Sequence, residues 1–258
     1  MSQVDSDADF VHSLARGLAV IRAFGVDAPQ LTMSDVAKRT GLSRATVRRF
    51  LHTLVELGYV GLEGRLYALR PRILELGYAF LSSMPIWEIV QPTLQDVANR
   101  VRATCAAGLL DGHEVVHVAR AGRSESAAVS FGVGSRLPAF HTAMGRVLLS
   151  ALPPDERRER LHRADLRAYT PLTLTDPELL LAEIEAVADR GWAIVDREYE
   201  PGLIALAAPV RNRAGKTVAA LITSARATRL DALTMRNDHL PVLQAACERL
   251  TPALHLAG

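Results

Sequence analysis

The chain has 258 residues, of which 49% are hydrophobic and 22% charged, enough apolar material for one large core or two smaller ones, and this excludes extensive disorder. Lysine and arginine together number 30 against 28 acidic residues, so the net charge of +2 excludes a uniformly basic coat, and any nucleic-acid face must be local. Two cysteines, Cys105 and Cys247, both among apolar neighbours, exclude a disulfide framework and a cysteine zinc site and read as packed thiols.

The opening MSQVDSDADFV is acidic and polar, unlike a signal peptide, and residues to about Asp9 are expected to lack fixed structure. No apolar run approaches the ~20 residues that span a bilayer, so a cytoplasmic protein without a membrane partner is expected. Phe10 to Phe24 reads as an amphipathic helix with Leu14, Leu18, Ile21 and Phe24 inward, followed by a loop from Gly25 to Gln30.

Leu31 to Val60 then reads as a helix-turn-helix. Thr32 is a good N-cap and Asp35 suits the first turn of a helix running to Thr40. Gly41 falls where the chain must reverse, and only glycine reverses it there without steric cost. Ser43 can cap a second helix that ends at Gly58. On it Val47, Leu51, Leu54 and Val55 share one face, while Arg44, Ala45, Arg48, Arg49 and His52 share the other. Tyr59 to Leu62 and Leu66 to Leu69 are strand-like, joined by Glu63-Gly64-Arg65 as a hairpin wing with Arg65 at its tip. Between Lys38 and Arg72, eight basic residues stand against Glu56 and Glu63 alone. A solvated arginine face is the plain alternative, but the turn glycine, the caps and the hairpin at the right offsets favour DNA. Ser43, Arg44, Ala45, Thr46, Arg48, Arg49, His52 and Arg65 are the expected DNA-binding residues, with arginines reading guanine edges or phosphates in double-stranded DNA.

Pro71 can open a linker helix to Ser83, too apolar for a lone connector and suited to pairing with a second chain. Pro85 breaks it, and Ile86 to Arg102 is a further helix, kinked or restarted at Pro92. From Thr104 the pattern turns strand-like. Cys105 to Leu110 and Val115 to Arg120 form a hairpin about Asp111-Gly112, and Ala127 to Phe131 is a third strand. Gly132 to Pro138 is a loop, Thr142 to Ala151 a buried helix and Asp155 to Leu161 a short charged one. Asp176 caps a helix lined by Leu179, Leu180, Ile184 and Val187 and closed by Gly191. Trp192 to Asp196, Ile204 to Arg211 and Thr217 to Ser224 are strands, and Thr234 to Leu256 is a long terminal helix. The whole is α+β, its second half built on an antiparallel sheet.

Three catalytic or metal readings fail on geometry. His113 and His117 lie about 13 Å apart along a strand, too far to share an ion. Gly132-Val133-Gly134 lacks a third glycine opening a helix, so it is no dinucleotide fingerprint. Ser135, His141 and Asp196 could form a hydrolytic triad, but no nucleophile elbow surrounds Ser135. No cofactor, metal or catalytic residue is expected.

The chain resembles the IclR family of bacterial regulators. The likeness rests on SLARGLAVIRAFG, the winged helix-turn-helix, and Arg65-Leu66-Tyr67-Ala68-Leu69-Arg70-Pro71. It continues through Gly134 to Leu149 (GSRLPAFHTAMGRVLL), Gly191 to Asp196 (GWAIVD), Glu198, Glu200, Gly202-Leu203 and Ala207-Ala208-Pro209-Val210. The resemblance implies a winged helix-turn-helix over 10–70, a linker helix over 71–84 and a GAF-like effector domain over 85–258. It implies a homodimer or dimer of dimers on a palindromic operator, and a small organic acid as effector. The segments AFHTAMGRVLLSALP and Tyr169 to Asp176 (YTPLTLTD) resemble the branch that senses aromatic acids and β-ketoadipate-pathway metabolites. That branch usually reads GLRSIAVP where this chain has Gly202 to Pro209 as GLIALAAP, which implies a more apolar pocket and a larger or more aromatic ligand. By resemblance the effector contacts are Ala139, Thr142, Met144, Asp196, Ala205, Ile222 and Ser224, with Arg136 either pairing an acidic effector or lying on the surface. The function expected is ligand-responsive control of a catabolic operon by a small aromatic or dicarboxylic acid. The rival is an enzyme acting on such an acid through the GAF-like half.

Overall fold

A computed structural model describes residues 10–25, 27–82, 87–122 and 131–253. The chain divides into two compact units, Met1–Ser83 and Met84–Gly258. The expected disorder up to Asp9, the break at Pro85, and most of the strand from Ala127 lie outside the described residues.

In the first unit α1 spans His12–Arg22. Val20 of α1, and Ala23 and Phe24 just past it, are buried with Ile21 packed against them, as expected for Ile21 and Phe24, whereas Leu14 and Leu18 are 63% and 48% exposed, which corrects that half of the expected inner face. Two apolar stripes share this helix, and α2 and α3 cover the one through Val20. The expected loop to Gln30 ends in a short strand, β1 (Gln30–Thr32). α2 (Met33–Thr40) opens with a capping box: the Thr32 hydroxyl accepts from the Asp35 N–H at 3.3 Å, and the Asp35 carboxylate accepts from the Thr32 N–H at 3.0 Å. The Thr32 hydroxyl donating to the Asp35 carboxylate at 2.6 Å, and then the Thr32 N–H, hold that carboxyl below its ordinary pKa. Gly41 follows with φ of 70°, the left-handed conformation that the reversal needs. Ser43 accepts from the Thr46 N–H at 3.2 Å and caps α3 (Arg44–Glu56). Val47, Leu51 and Leu54 of α3 are buried with Val36, Leu31 and Val60. The hairpin β2 (Val60–Glu63) and β3 (Leu66–Leu69) pairs through β3 with β1, giving a sheet of order β1-β3-β2.

Pro71–Ile73 forms a 3-10 turn that leads into α4 (Leu74–Ser82). Arg72 anchors that turn, donating to the Leu57 carbonyl at 2.9 Å and lying 5.5 Å over the Tyr59 ring. Leu74, Leu76, Tyr78 and Phe80 of α4 are exposed in the single chain, as are Phe10, Val11, Leu14 and Leu18 at the other end of the unit's sequence.

The second unit begins with α5 (Trp87–Val101), which continues through Pro92 rather than restarting there. Its sheet contains β4 (Thr104–Asp111), β5 (Glu114–Ala121), β6 (Arg136–Pro138), β7 (Ala193–Asp196), β8 (Leu203–Arg211) and β9 (Thr217–Arg226). The order is β6-β5-β4-β9-β8-β7, antiparallel throughout. The hairpin turn is Gly112-His113, since Asp111 pairs Glu114 across it, and β6 occupies the end of the expected Gly132–Pro138 loop.

Two-residue alternation splits each strand between two cores. Ile204, Leu206 and Ala208 of β8 face α5 and the C-terminal helices. Ala205 and Ala207 face α6 (Ala143–Ser150) and α8 (Pro177–Arg190). α7 (Pro154–His162) packs against α8, on which Leu180, Ile184 and Val187 are buried but Leu179 is 58% exposed, against expectation. The terminal helix is not continuous: α9 (Ala232–Thr234) passes through a π-turn at Met235–His239 into α10 (Leu240–Leu250). Pro241 has no N–H to donate to the preceding turn, which accounts for the wider winding there. Residues beyond Ala253 lie outside those described.

Candidate functional site

The local signals before α3 set which side chains leave its surface. Arg44, Ala45, Arg48, Arg49 and His52 are exposed, and Ser43 and Thr46 join their hydroxyls at 2.9 Å at the helix start. Arg65 is exposed beside Gly64, whose φ of 60° makes the hairpin tip. Among the described residues the guanidiniums of Arg44, Arg48, Arg49 and Arg65 have no ion-pair or hydrogen-bond partner, so their donors face solvent. The eight expected residues lie at the N-cap and along one face of α3 as far as His52, and at the wing tip.

The second unit encloses a cavity of about 350 Å³ between the sheet and the segment that enters α6. Ala106, Ala205 and Ala143 line it, and these small side chains leave the space open. Of the effector contacts that the family resemblance implies, Thr142, Met144, Ala205, Ile222 and Ser224 line it. Two expected contacts, Asp196 and Ala139, do not, and Arg136 takes the surface alternative left open for it. Arg136 turns away to Glu114 at 2.6 Å and Asp111 at 2.7 Å, bonds that raise its pKa and make it a surface arginine. Asp196 follows cavity-lining Val195 by one residue, so alternation points it elsewhere, and its carboxylate takes Arg197 at 2.9 Å. Ala139 is fully buried beneath Gly145.

The sequence reading missed the most unusual groups of the cavity. His117 from β5 and His141 from the turn before α6 line it, 5% and 0% exposed, and among the described residues none of their four ring nitrogens makes a hydrogen bond of good geometry, although the Phe131 and Asp165 backbones approach His117 and His141. Buried polar atoms are normally satisfied, so two orphaned imidazoles mark a place for a polar guest. In the sequence His117 offers only a metal-ligand reading and His141 only a place in a triad. Burial, and then the Arg120 cation, push the His117 pKa down to about 4. Burial, and then Arg146, lower that of His141. Both rings are neutral at pH 7, each with one donor and one acceptor nitrogen. Phe131 and Tyr199 complete one wall, their rings 6.0 Å apart, with Phe131 edge-on to His117 at 6.2 Å.

The neutral His117 carries a pH consequence. Its folded pKa lies below the ordinary 6.5, so the unfolded chain binds the extra proton first. The contribution is fully present above pH 6.5 and is lost as pH falls towards about 4, by roughly 3 kcal/mol in all. Urea unfolding between those two values should show a shallower acid decline in His117→Phe than in the wild type. Equal slopes would remove the assignment.

A buried ion pair holds the cavity rim. Arg146 of α6, 2% exposed, donates to both oxygens of Glu198 at 2.8 and 2.6 Å and to the Phe140 carbonyl at 3.0 Å. Glu198 also accepts from the Leu174 N–H at 3.1 Å, and the Thr170 hydroxyl donates to the Arg197 carbonyl at 2.7 Å. The β7–β8 loop that supplies Tyr199, Glu200 and Gly202 is thereby tied to α6.

Among the described residues no three His, Cys, Asp or Glu side chains converge as a metal site would require, and no helix is long and apolar enough to cross a membrane. Cys105 and Cys247 are buried thiols, each pushed up to about 12 by burial.

Comparison with known families decides what the two units make together. Residues 13–63 match the IclR helix-turn-helix domain, and residues 78–251 match the C-terminal domain of the bacterial transcriptional regulator IclR. The chain belongs to the IclR family. It is 43% identical over 245 residues to the Pca regulon regulatory protein of Pseudomonas putida, covering 95% of this chain and 84% of that one. It is 36% identical over 247 residues to the p-hydroxybenzoate hydroxylase transcriptional activator of Acinetobacter baylyi, covering 94% and 91%. An IclR homolog from Microbacterium hydrocarbonoxydans, solved as a complex with 4-hydroxybenzoate, superposes with a TM-score of 0.81 at 25% identity over 95% of this chain and 100% of that one. These IclR relatives are transcriptional regulators, so the protein is a DNA-binding regulator and not an enzyme. The α+β architecture with a winged helix-turn-helix ahead of an antiparallel-sheet domain is that of the IclR fold.

Proposed function

We propose that this IclR regulator is cytoplasmic and controls a catabolic operon in response to a small aromatic acid held in the second unit's cavity. The observation that carries the reading is the pair of orphaned, neutral histidines in an otherwise largely apolar cavity. It is supported by the 4-hydroxybenzoate bound to the structural neighbour. Residues 10–70 act as the DNA-binding head, 71–84 as linker and 85–258 as effector domain. Arg44, Arg48 and Arg49, with Ser43, Ala45, Thr46 and His52 around them, enter the major groove, and Arg65 works from the wing. Thr142, Met144, Ala205, Ile222 and Ser224 contact the acid.

The exposed apolar side chains of α1 and α4 suit burial in a homodimer or a dimer of dimers. A dimer reads a palindromic operator when its two heads lie about one helical turn, or a multiple, apart. The bound acid changes that spacing through α4. Arg48→Ala should weaken binding to duplexes from the protein's own promoter region by about 1–3 kcal/mol while leaving acid binding unchanged. Fluorescence anisotropy at fixed salt measures the first and calorimetry the second. Operator affinity equal to that of the wild type would overturn the α3 assignment.

A further inference from the structure

The cavity presents two chemically different polar sets. Arg120 lines it from β5, half-buried, and among the described residues its guanidinium has neither an ion pair nor a hydrogen bond. Arg226, the other arginine of the lining, already has a partner. Among the described residues no carboxylate pairs with this cation, and its planar guanidinium fork matches the carboxylate of a guest.

The histidines call for something else. A carboxylate only accepts hydrogen bonds, so it would leave the acceptor nitrogen of a neutral imidazole unsatisfied. A hydroxyl both donates and accepts, and it can satisfy either nitrogen. The spacing also separates the two tasks. His117 pairs across the sheet with Gly108, and Arg120 with Ala106. Those β4 positions are two residues apart, about 7 Å, the scale of a benzene ring substituted at both ends. Ala106 and Ile222 floor the space near them, and Met144 covers it from α6. Glu200, the one carboxylate of the lining among the described residues, disfavours a second acidic group on the guest.

We propose that Arg120 takes the carboxylate of a hydroxylated aromatic monocarboxylate and that His117, with His141, takes its ring hydroxyl. These residues then set which acid the regulator answers to. The proposal rests on the aromatic-acid reading above and assigns its specificity.

Calorimetry on the full chain with 4-hydroxybenzoate, benzoate and 4-hydroxybenzyl alcohol tests it. The wild type should bind 4-hydroxybenzoate on the order of 100-fold more tightly than either analogue, since a site built to pair a hydroxyl or a charge rejects a ligand lacking it. Arg120→Gln should lose the preference for the acid over the alcohol and keep its affinity for the alcohol within about threefold. His117→Phe should lose the preference for 4-hydroxybenzoate over benzoate. Thermal melts show that each variant is folded. Arg120→Lys, which keeps the charge without the fork, should lower the acid-to-alcohol ratio about tenfold and serves if Arg120→Gln does not fold. Variants that retain the wild-type ratios overturn this division of tasks and leave the aromatic-acid reading standing. A wild-type chain that binds none of the three compounds overturns both.

Discussion

Glu198→Ala is expected to lower the stability of the second unit by about 3–5 kcal/mol, because it leaves the Arg146 cation buried without its carboxylate. The pair is well inside the protein, with Arg146 2% and Glu198 13% exposed, so solvent does little to screen the loss. The same substitution frees the Leu174 N–H and cuts the β7–β8 loop from α6, so acid binding should weaken as well. Urea unfolding followed by tryptophan fluorescence measures the first effect, and calorimetry the second. Replacing both partners, as Arg146→Met with Glu198→Leu, should recover much of the stability, because two apolar groups avoid the desolvation cost of an ion. A double variant no more stable than Glu198→Ala would show that the Phe140 carbonyl, and not the missing charge, dominates at Arg146.

Gly145→Ala should be worse still, with a loss above about 3 kcal/mol or no folded protein. A methyl group at that position would run into the carbonyl oxygen, Cα and carbonyl carbon of Ala139, which is backbone and cannot swing aside. Ala139 is itself fully buried, so the turn cannot lift away from α6 without opening the core. Gly132→Ala is the matched control: a Cβ there meets nothing within 4 Å, and stability should stay within about 0.5 kcal/mol of the wild type. A well-folded Gly145→Ala protein with an unchanged unfolding midpoint would mean that the 139–145 segment is free to move.

Both experiments probe how the entry to α6 is held, and that entry supplies His141, Thr142 and Met144 to the cavity. If binding of an acid is to be felt elsewhere in the chain, the rim must have a defined resting position. The Arg146–Glu198 pair and the close contact under Gly145 provide it.

The first unit was largely legible because its information is local. Thr32, Asp35, Gly41 and Ser43 each act within three or four residues of themselves, through a cap or a left-handed turn. The misreading of α1 has a different origin. Leu14 and Leu18 have the same helical spacing as a core stripe, and only the position of α2 and α3 selects the stripe through Val20. β1 is three residues long, too short to carry a period, and it exists because β3 offers it an edge.

In the second unit the sheet and its caps were legible, but the lining of the cavity was only partly so. Thr142, Met144, Ala205, Ile222 and Ser224 were reached through the family resemblance and not through periodicity or spacing. Arg136 and Asp196 were drawn in by their charge, yet each is neutralised by a neighbour on the surface. His117 was hidden because a histidine between valines has no local signature of being orphaned.

By itself the sequence determined the two helices of the helix-turn-helix, their caps and turn, the arginine face of α3, and most strands of the second unit, all of which follow from contacts within a few residues. Only the tertiary structure decided the cavity and its chemistry. An empty volume arises where small side chains of distant strands meet. Whether a buried imidazole or guanidinium finds a partner depends on everything that folds around it, which no local pattern records.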